Sequence, residues 1–300
     1  MKLFSFNRIA IAAIAICLTV LIFSCKKEGS TANQDPVTEQ ESVTYAEESS
    51  EAEASFDDIE DISFTAADEE GVESAARANG EQSRVYLFAA LRLRLGSCAT
   101  ITVTPNDSTY PKTVTIDFGN GCFCADGKWR KGIITLHFTG PIRRHGSVLT
   151  ITLTNFYIGR AHVEGTKVIS NLSENGNIKF TVQVVDGKVT YANGRGYKYN
   201  CMKYVKQIEG GSTNDLRDDI YSIEGRSGTE FNNGVSIVFN TETALIKKVV
   251  CPWISKGKLK IKINSRVLFL DYGAPNNGDC DNKALLTWNN GSNNRLITLP

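Results

Sequence analysis

The sequence predicts an all-β fold: an antiparallel multi-stranded meander, a curled sheet or sandwich, stapled by disulfides. Three observations point to it: apolar residues at every second position from about residue 84 onward, turn-forming pairs between those runs, and six cysteines behind an export-type leader. Alternation with a period of two gives a strand one dry and one wet face, the mark of antiparallel sheet.

Taken in order, Ile134, Leu136 and Phe138 alternate with Thr135 and His137, and Leu149, Ile151 and Leu153 alternate with Thr150 and Thr152. Ile178, Phe180, Val182 and Val184 alternate with Lys179, Thr181 and Gln183. The cleanest case sets Lys258, Lys260 and Lys262 opposite Leu259, Ile261 and Ile263. Asp126-Gly127, Asn175-Gly176, Asp186-Gly187, Asn193-Gly194, Asn233-Gly234 and Asn290-Gly291 punctuate the runs with pairs that favour hairpin turns. About 12 to 15 strands are expected, with no helix longer than about two turns.

Ahead of the strands, Lys2 and Arg8 precede an apolar run from Ile9 to Phe23, then Ser24-Cys25. The run is long enough for the apolar region of a signal peptide and short of the ~20 residues that span a membrane as a helix. Leu21-Ile22-Phe23-Ser24-Cys25 resembles a bacterial lipobox, although Phe23 is bulkier than that motif usually holds. Residues 1–24 are thus expected to be a lipoprotein signal peptide, with Cys25 the acylated residue. Residues 25–80 are expected to be an acidic disordered tether and residues 81–300 an all-β domain.

The overall neutrality of the chain hides two regions of opposite sign. Residues 26–80 hold 16 acidic and 3 basic residues, and residues 81–300 hold 28 basic and 17 acidic. So acidic and polar a stretch buries too little apolar surface to offset the entropy of ordering it. Phe56, Ile59, Ile62 and Phe64 nevertheless have the loose spacing of a short helical face able to dock on the domain or on a partner. The tether could fold back on its basic domain, or the domain could face anionic glycans, lipids or a protein. Nucleic acid is not expected as a partner, because no recognition motif is present.

Val114-Thr115-Ile116-Asp117-Phe118-Gly119, followed by Cys122, is echoed by Leu268-Phe269-Leu270-Asp271-Tyr272-Gly273, followed by Cys280. Each copy has a further cysteine upstream, Cys98 and Cys251 respectively. Cys98, Cys122, Cys124, Cys201, Cys251 and Cys280 are an even set, which in an exported protein implies disulfides, and six cysteines allow 15 connectivities. The echo favours Cys98 with Cys122 and Cys251 with Cys280, leaving Cys124 for Cys201. Loops of this size contribute roughly 3 to 4 kcal/mol each in the chain-entropy model. A metal site is not expected, since Cys122-Phe123-Cys124 is a single short spacing and His137, His145 and His162 have no ligand spacing to it. No cofactor is expected.

Catalytic signals are sparse. Asp117-Phe118-Gly119 lacks the other kinase motifs, and no G-x-S-x-G elbow occurs. No catalytic residue is singled out. A polysaccharide hydrolase using a carboxylate pair remains the alternative class, with Trp129, Tyr157, Tyr197, Tyr199, Tyr204, Trp253 and Trp288 available as a sugar platform.

The run from Lys112 to Cys122, with Asp126-Gly127-Lys128-Trp129-Arg130-Lys131-Gly132 after it, resembles a family of uncharacterised lipoproteins of Bacteroidota-type bacteria. Val163-Glu164-Gly165-Thr166-Lys167, Ile208-Glu209-Gly210 and Asp279-Cys280-Asp281-Asn282-Lys283-Ala284 are similar to later parts of the same family, so the resemblance covers roughly residues 95 to 300. It implies an all-β domain and an envelope location, with no activity to carry over; Cys124 and Cys201 depart from the family's pattern. The expectation is a lipid-anchored outer-membrane protein on either face, acting as a non-catalytic binding or structural module.

Overall fold

The computed structural model describes residues 37–78, 88–211, 216–274 and 276–299. The expected leader, the expected lipidation site Cys25 and the residues just after it lie outside this set.

The strands follow one another in a single antiparallel sheet. β1 (Thr100–Thr104), β2 (Lys112–Asp117), β3 (Cys122–Phe123), β4 (Trp129–Phe138) and β5 (Val148–Ile158) form its first part. β6 (Ala161–Asn171), β7 (Lys179–Tyr191), β8 (Gly196–Glu209), β9 (Ile220–Phe231) and β10 (Ser236–Lys248) form the middle. β11 (Ile254–Ile263), β12 (Arg266–Asp271), β13 (Lys283–Trp288) and β14 (Asn293–Thr298) complete it. The order is that of the chain except that β3 pairs with β4 off the main path, and β1 and β14 remain as the two ends of an unclosed sheet. The antiparallel, disulfide-stapled meander expected from the alternation is therefore present as one sheet. Its alternation holds residue by residue: Leu259, Ile261 and Ile263 are buried, and the lysines between them point away.

The sheet is bent where its ladders slip. Every ladder from β4/β5 through β10/β11 contains a register shift, whereas the outer ladders β1/β2, β2/β4, β11/β12, β12/β13 and β13/β14 contain none. An extra residue in one strand bends it and increases its twist, so a run of bulges curls the middle of the sheet. Gly132 shows why the residue type matters. Its φ is +86°, and a Cβ there would lie 2.1 Å from the Asn155 carbonyl oxygen, so only glycine lets the two backbones approach at the slip between Lys131 and Ile133.

Inside the curl lies the element that corrects the expected tether. Residues Glu39–Ala78 form a 40-residue α-helix, α1, about 60 Å long at 1.5 Å per residue. Its start is a capping box: the Thr38 N–H donates to Glu41 Oε2 at 2.7 Å, and the Glu41 N–H donates to Thr38 Oγ1 at 3.3 Å. From Ala52 to Glu70 every side chain is buried or half-buried. Phe56, Ile59 and Ile62 are within 2 % of complete burial, with Phe56 stacked on Tyr199 of β8 at 4.8 Å and Phe64 set edge-on to Phe180 of β7 at 5.3 Å. The sequence argument failed because it compared the segment with water. The partners that order it are cations and apolar faces of the sheet, supplied from far along the chain.

A second, short helix, α2 (Ala89–Leu95), lies against α1 and buries Leu91 and Leu95 in the core. Its first N–H groups are capped by Glu69 of α1, which accepts from Ala90 at 2.7 Å and Leu91 at 3.1 Å.

Two disulfides form as the echo indicated, Cys98–Cys122 and Cys251–Cys280. The third expected pair does not: Cys124 and Cys201 are free, buried thiols. Cys124 follows β3, which pairs with β4, and Cys201 sits on β8, four strand steps further along the sheet. Each step is about 4.8 Å, and a disulfide needs Cα atoms within about 7 Å.

Candidate functional site: the charged lining between helix and sheet

Ion pairs between α1 and the curled sheet run along the helix. At its centre, Asp58, whose side chain is 1 % exposed, accepts from Arg130 Nε at 3.1 Å and Nη2 at 2.8 Å, from Lys128 Nζ at 3.1 Å and from Arg94 Nη2 at 2.9 Å. Asp126 closes the network from the β3–β4 turn, accepting from Arg130 Nη1 at 2.9 Å and Nη2 at 2.7 Å. Arg130 is fully buried and still has both carboxylates in reach, the condition under which a buried charge is tolerated.

These contacts also prove the curl. Asp58 and Asp61 are one helical turn apart, yet Arg130 lies on β4 and the partner of Asp61, Lys247, lies on β10 at 3.4 Å. In a flat sheet those strands would be about 29 Å apart, at roughly 4.8 Å for each of the steps between them. Arg94 of α2 reaches both carboxylates, 2.9 Å from Asp58 and 3.9 Å from Asp61.

The same pattern continues in both directions. Lys203 of β8 meets Glu53 at 2.9 Å and Asp57 at 3.1 Å. Lys167 of β6 pairs with Glu60 and donates to the Phe56 carbonyl at 3.0 Å. Lys112 of β2 meets Glu70 at 2.9 Å with both side chains fully buried. At the far end Glu39 accepts from Trp288 Nε1, and from Asn293 at 2.8 Å.

Protonation follows from these neighbours. Burial alone would raise the Asp58 carboxyl, but Arg130 and Lys128 hold it below the ordinary carboxylate value. Asp126 is likewise opposed by burial and lowered by its hydrogen bond from Arg130 and by that cation's charge. Asp61 and Asp68 go the other way, because burial outweighs Lys247 and Arg94 at the first and Arg143 at the second. Burial also pushes Tyr199 well above its usual value; its hydroxyl is buried without a hydrogen-bond partner among the described residues.

Among the described residues the three histidines do not share a site. His137 contacts Thr113, His145 contacts the Ser173 carbonyl, and His162 stacks on Tyr157, each at a separate place on the sheet. Tyr197 and Tyr199 are buried beneath the helix rather than displayed, while Tyr204 is exposed. A recess of about 320 Å³ beside the start of α1 is lined by a single carboxylate, Glu39, together with Arg266, Trp288 and Asn289 among others. A glycosidase needs two carboxylates about 5 to 9.5 Å apart across a sugar. A second recess, about 10 Å³ beside Glu53 and Lys203, is the size of one water.

The opposite charges and the Phe56, Ile59, Ile62 face point to a tether able to fold back on its domain, but not to a 40-residue helix or to the individual ion pairs; the Thr38-x-x-Glu41 box is the signal for its start. Cys124, expected to pair with Cys201, is instead brought beside the Cys98–Cys122 pair, with the three sulfur atoms within 4.8 Å of one another. No described helix is long and apolar enough to cross a membrane, which says nothing about strands. No protein-family model, curated protein or solved structure matches the chain.

Proposed function

We propose that this chain is an envelope lipoprotein anchored in the outer membrane through Cys25, and that its β domain is a non-catalytic binding or structural module. The observation that carries the second part is that the concave face of the curled sheet, where a β domain would take a ligand, is filled by the chain's own acidic helix with its carboxylates neutralised. Recognition of an anionic glycan, a lipid or a protein then falls to the outer faces and loops. Leu93, Phe123 and Val250 are exposed apolar tips there, on α2, β3 and the β10–β11 loop. The anchor is supported by the order of charge, apolar run and Ser24-Cys25, and by the resemblance to envelope lipoproteins.

The test is metabolic labelling with an alkyne fatty acid followed by membrane fractionation of the wild type and Cys25→Ala. Label and outer-membrane retention lost together in the variant would support the anchor; an unlabelled wild type would overturn it. Photocrosslinking from position 123 or 250 in intact cells tests the module. A discrete adduct absent from position 260 supports binding through the loops, and equal yields at all three positions count against it.

A further inference from the structure

The C-terminal end of α2 and the β3–β4 turn meet through backbone hydrogen bonds, Ala125 and Asp126 N–H donating to the Leu95 and Arg94 carbonyls at 3.4 and 2.9 Å. This junction sets Cys124 beside the Cys98–Cys122 bond, with all three sulfur atoms within 4.8 Å of one another. A free thiol beside a disulfide is the full reactant set for thiol–disulfide exchange, which proceeds by attack of the thiolate on one sulfur of the bond.

We propose that these three cysteines form an intramolecular exchange site that moves the free thiol from Cys124 to Cys122. The Cys124 thiolate attacks the Cys98 sulfur; the Cys124–Cys98 bond forms and the Cys98–Cys122 bond breaks. Cys122 leaves as a thiolate and takes up the proton that Cys124 released. One disulfide and one thiol are present before and after, so no outside oxidant or reductant is consumed. The new loop is two residues longer than the present separation of 24, so chain entropy hardly distinguishes the isomers. Attack on Cys122 would instead have to close a bond across the single residue Phe123.

The two isomers differ in what they present. Cys124 is 5 % exposed, whereas Cys122 is half-buried beside Phe123, which is 78 % exposed. Exchange therefore carries the thiol toward the surface, where a thiol or disulfide of another molecule can react with it. The groups acting on Cys124 are Arg130 of β4, Asp126 of the turn and Asp58 of α1. Burial raises the thiol, the Arg130 hydrogen bond and charge lower it, and the two carboxylates raise it again. The same arginine clamps α1, so the sulfur cluster and the helix share one cation.

The test uses the full-length oxidised protein, incubated at about pH 8.5, near the pKa of a free thiol. It is then alkylated with N-ethylmaleimide without unfolding and digested unreduced with chymotrypsin, which cuts after Phe123 and separates the two sulfurs. The expected result is a Cys98–Cys124 peptide alongside Cys98–Cys122, with maleimide accumulating on Cys122 over time and lost from it in Cys124→Ser but not in Cys201→Ser. Only Cys98–Cys122 at every time, with Cys122 never alkylated in the wild type, would overturn the proposal. So would equal alkylation of Cys122 in Cys124→Ser, because that thiol would then come from reduction.

Discussion

Strand β11 and helix α1 both interleave charged and apolar residues, but only the strand's pattern matches its own geometry. In β11 the lysines sit at every second position, so they face outward while leucine and isoleucine face the core, and no other segment is needed to explain them. In α1 acidic residues point inward as well as outward, and the helix has no charged side and apolar side of its own. Such a helix is not expected to persist in water. It is ordered because the concave surface around it supplies arginine and lysine at matching places. The difference teaches that patterning reports burial against a generic apolar core, and is blind to burial against a charged lining.

The most severe way to break this comparison is to remove α1. A chain lacking residues 39–78 is expected to lose cooperative unfolding by circular dichroism. It forfeits Phe56, Ile59 and Ile62 from the core, takes the Glu70 and Glu60 carboxylates from Lys112 and Lys167, and leaves Arg130 with Asp126 alone. A sheet that unfolds cooperatively without the helix would show instead that the strands are self-sufficient.

Next in size is Asp58→Ala, which strands the buried Arg130 with Asp126 alone. Breaking one side of a buried pair typically costs about 3 to 5 kcal/mol, read as a lower urea midpoint. The double replacement Asp58→Leu with Arg130→Met is expected to recover much of that loss, because an apolar pair avoids the desolvation cost. Phe56→Ala tests the apolar half of the same contact. The expected loss is about 3 kcal/mol or more, from the cavity left against Tyr199.

A smaller and more diagnostic effect lies in pH. The folded-state carboxyls of Asp58 and Asp126 are lowered, so their contribution is present above the unfolded carboxylate value and is lost as pH falls through the folded one. Urea unfolding of the wild type against Asp58→Asn should show a stability gap that is full above about pH 4 and shrinks below it. Asp61 and Asp68 are raised and oppose this trend, since their folded forms favour the proton. A gap that does not change with pH would mean that Asp58 acts by shape rather than charge. The smallest effect belongs to the exterior. Glu230→Ala removes an exposed pair with Lys198, 3.3 Å long, and should change stability by less than about 1 kcal/mol.

The contrast also measures what the sequence could disclose. The strands were legible because period two is a local property, and the two disulfides because Asp117-Phe118-Gly119 and Asp271-Tyr272-Gly273 mark equivalent turns ahead of Cys122 and Cys280. The third pair failed because an even count was taken to mean that all six pair, which ignores where β8 falls in the sheet. The bulges left only mid-strand glycines such as Gly132 and Gly165 as traces, and nothing local says which way such a strand bends. The apolar spacing of Phe56, Ile59 and Ile62 was visible, but the cations that complete their surroundings lie 36 to 186 residues from the carboxylates they meet. Pairing at that distance is a property of the assembled sheet.

The helix also has an order of events written into it. Synthesis runs from the N-terminus, so α1 is made before any of the strands that neutralise it, and a lone acidic helix pays for its first turns with little return. The strands, by contrast, pair mostly with their neighbours in the chain, which keeps each pairing step local. The meander can therefore grow hairpin by hairpin. Glu60 gains Lys167 at β6 and Asp61 gains Lys247 at β10, but Glu47 waits for Arg295 on β14. Helix α1 is thus completed only with the last strand of the sheet, and a ribosome releasing this chain must tolerate a partly unpaired acidic helix until β14 has emerged.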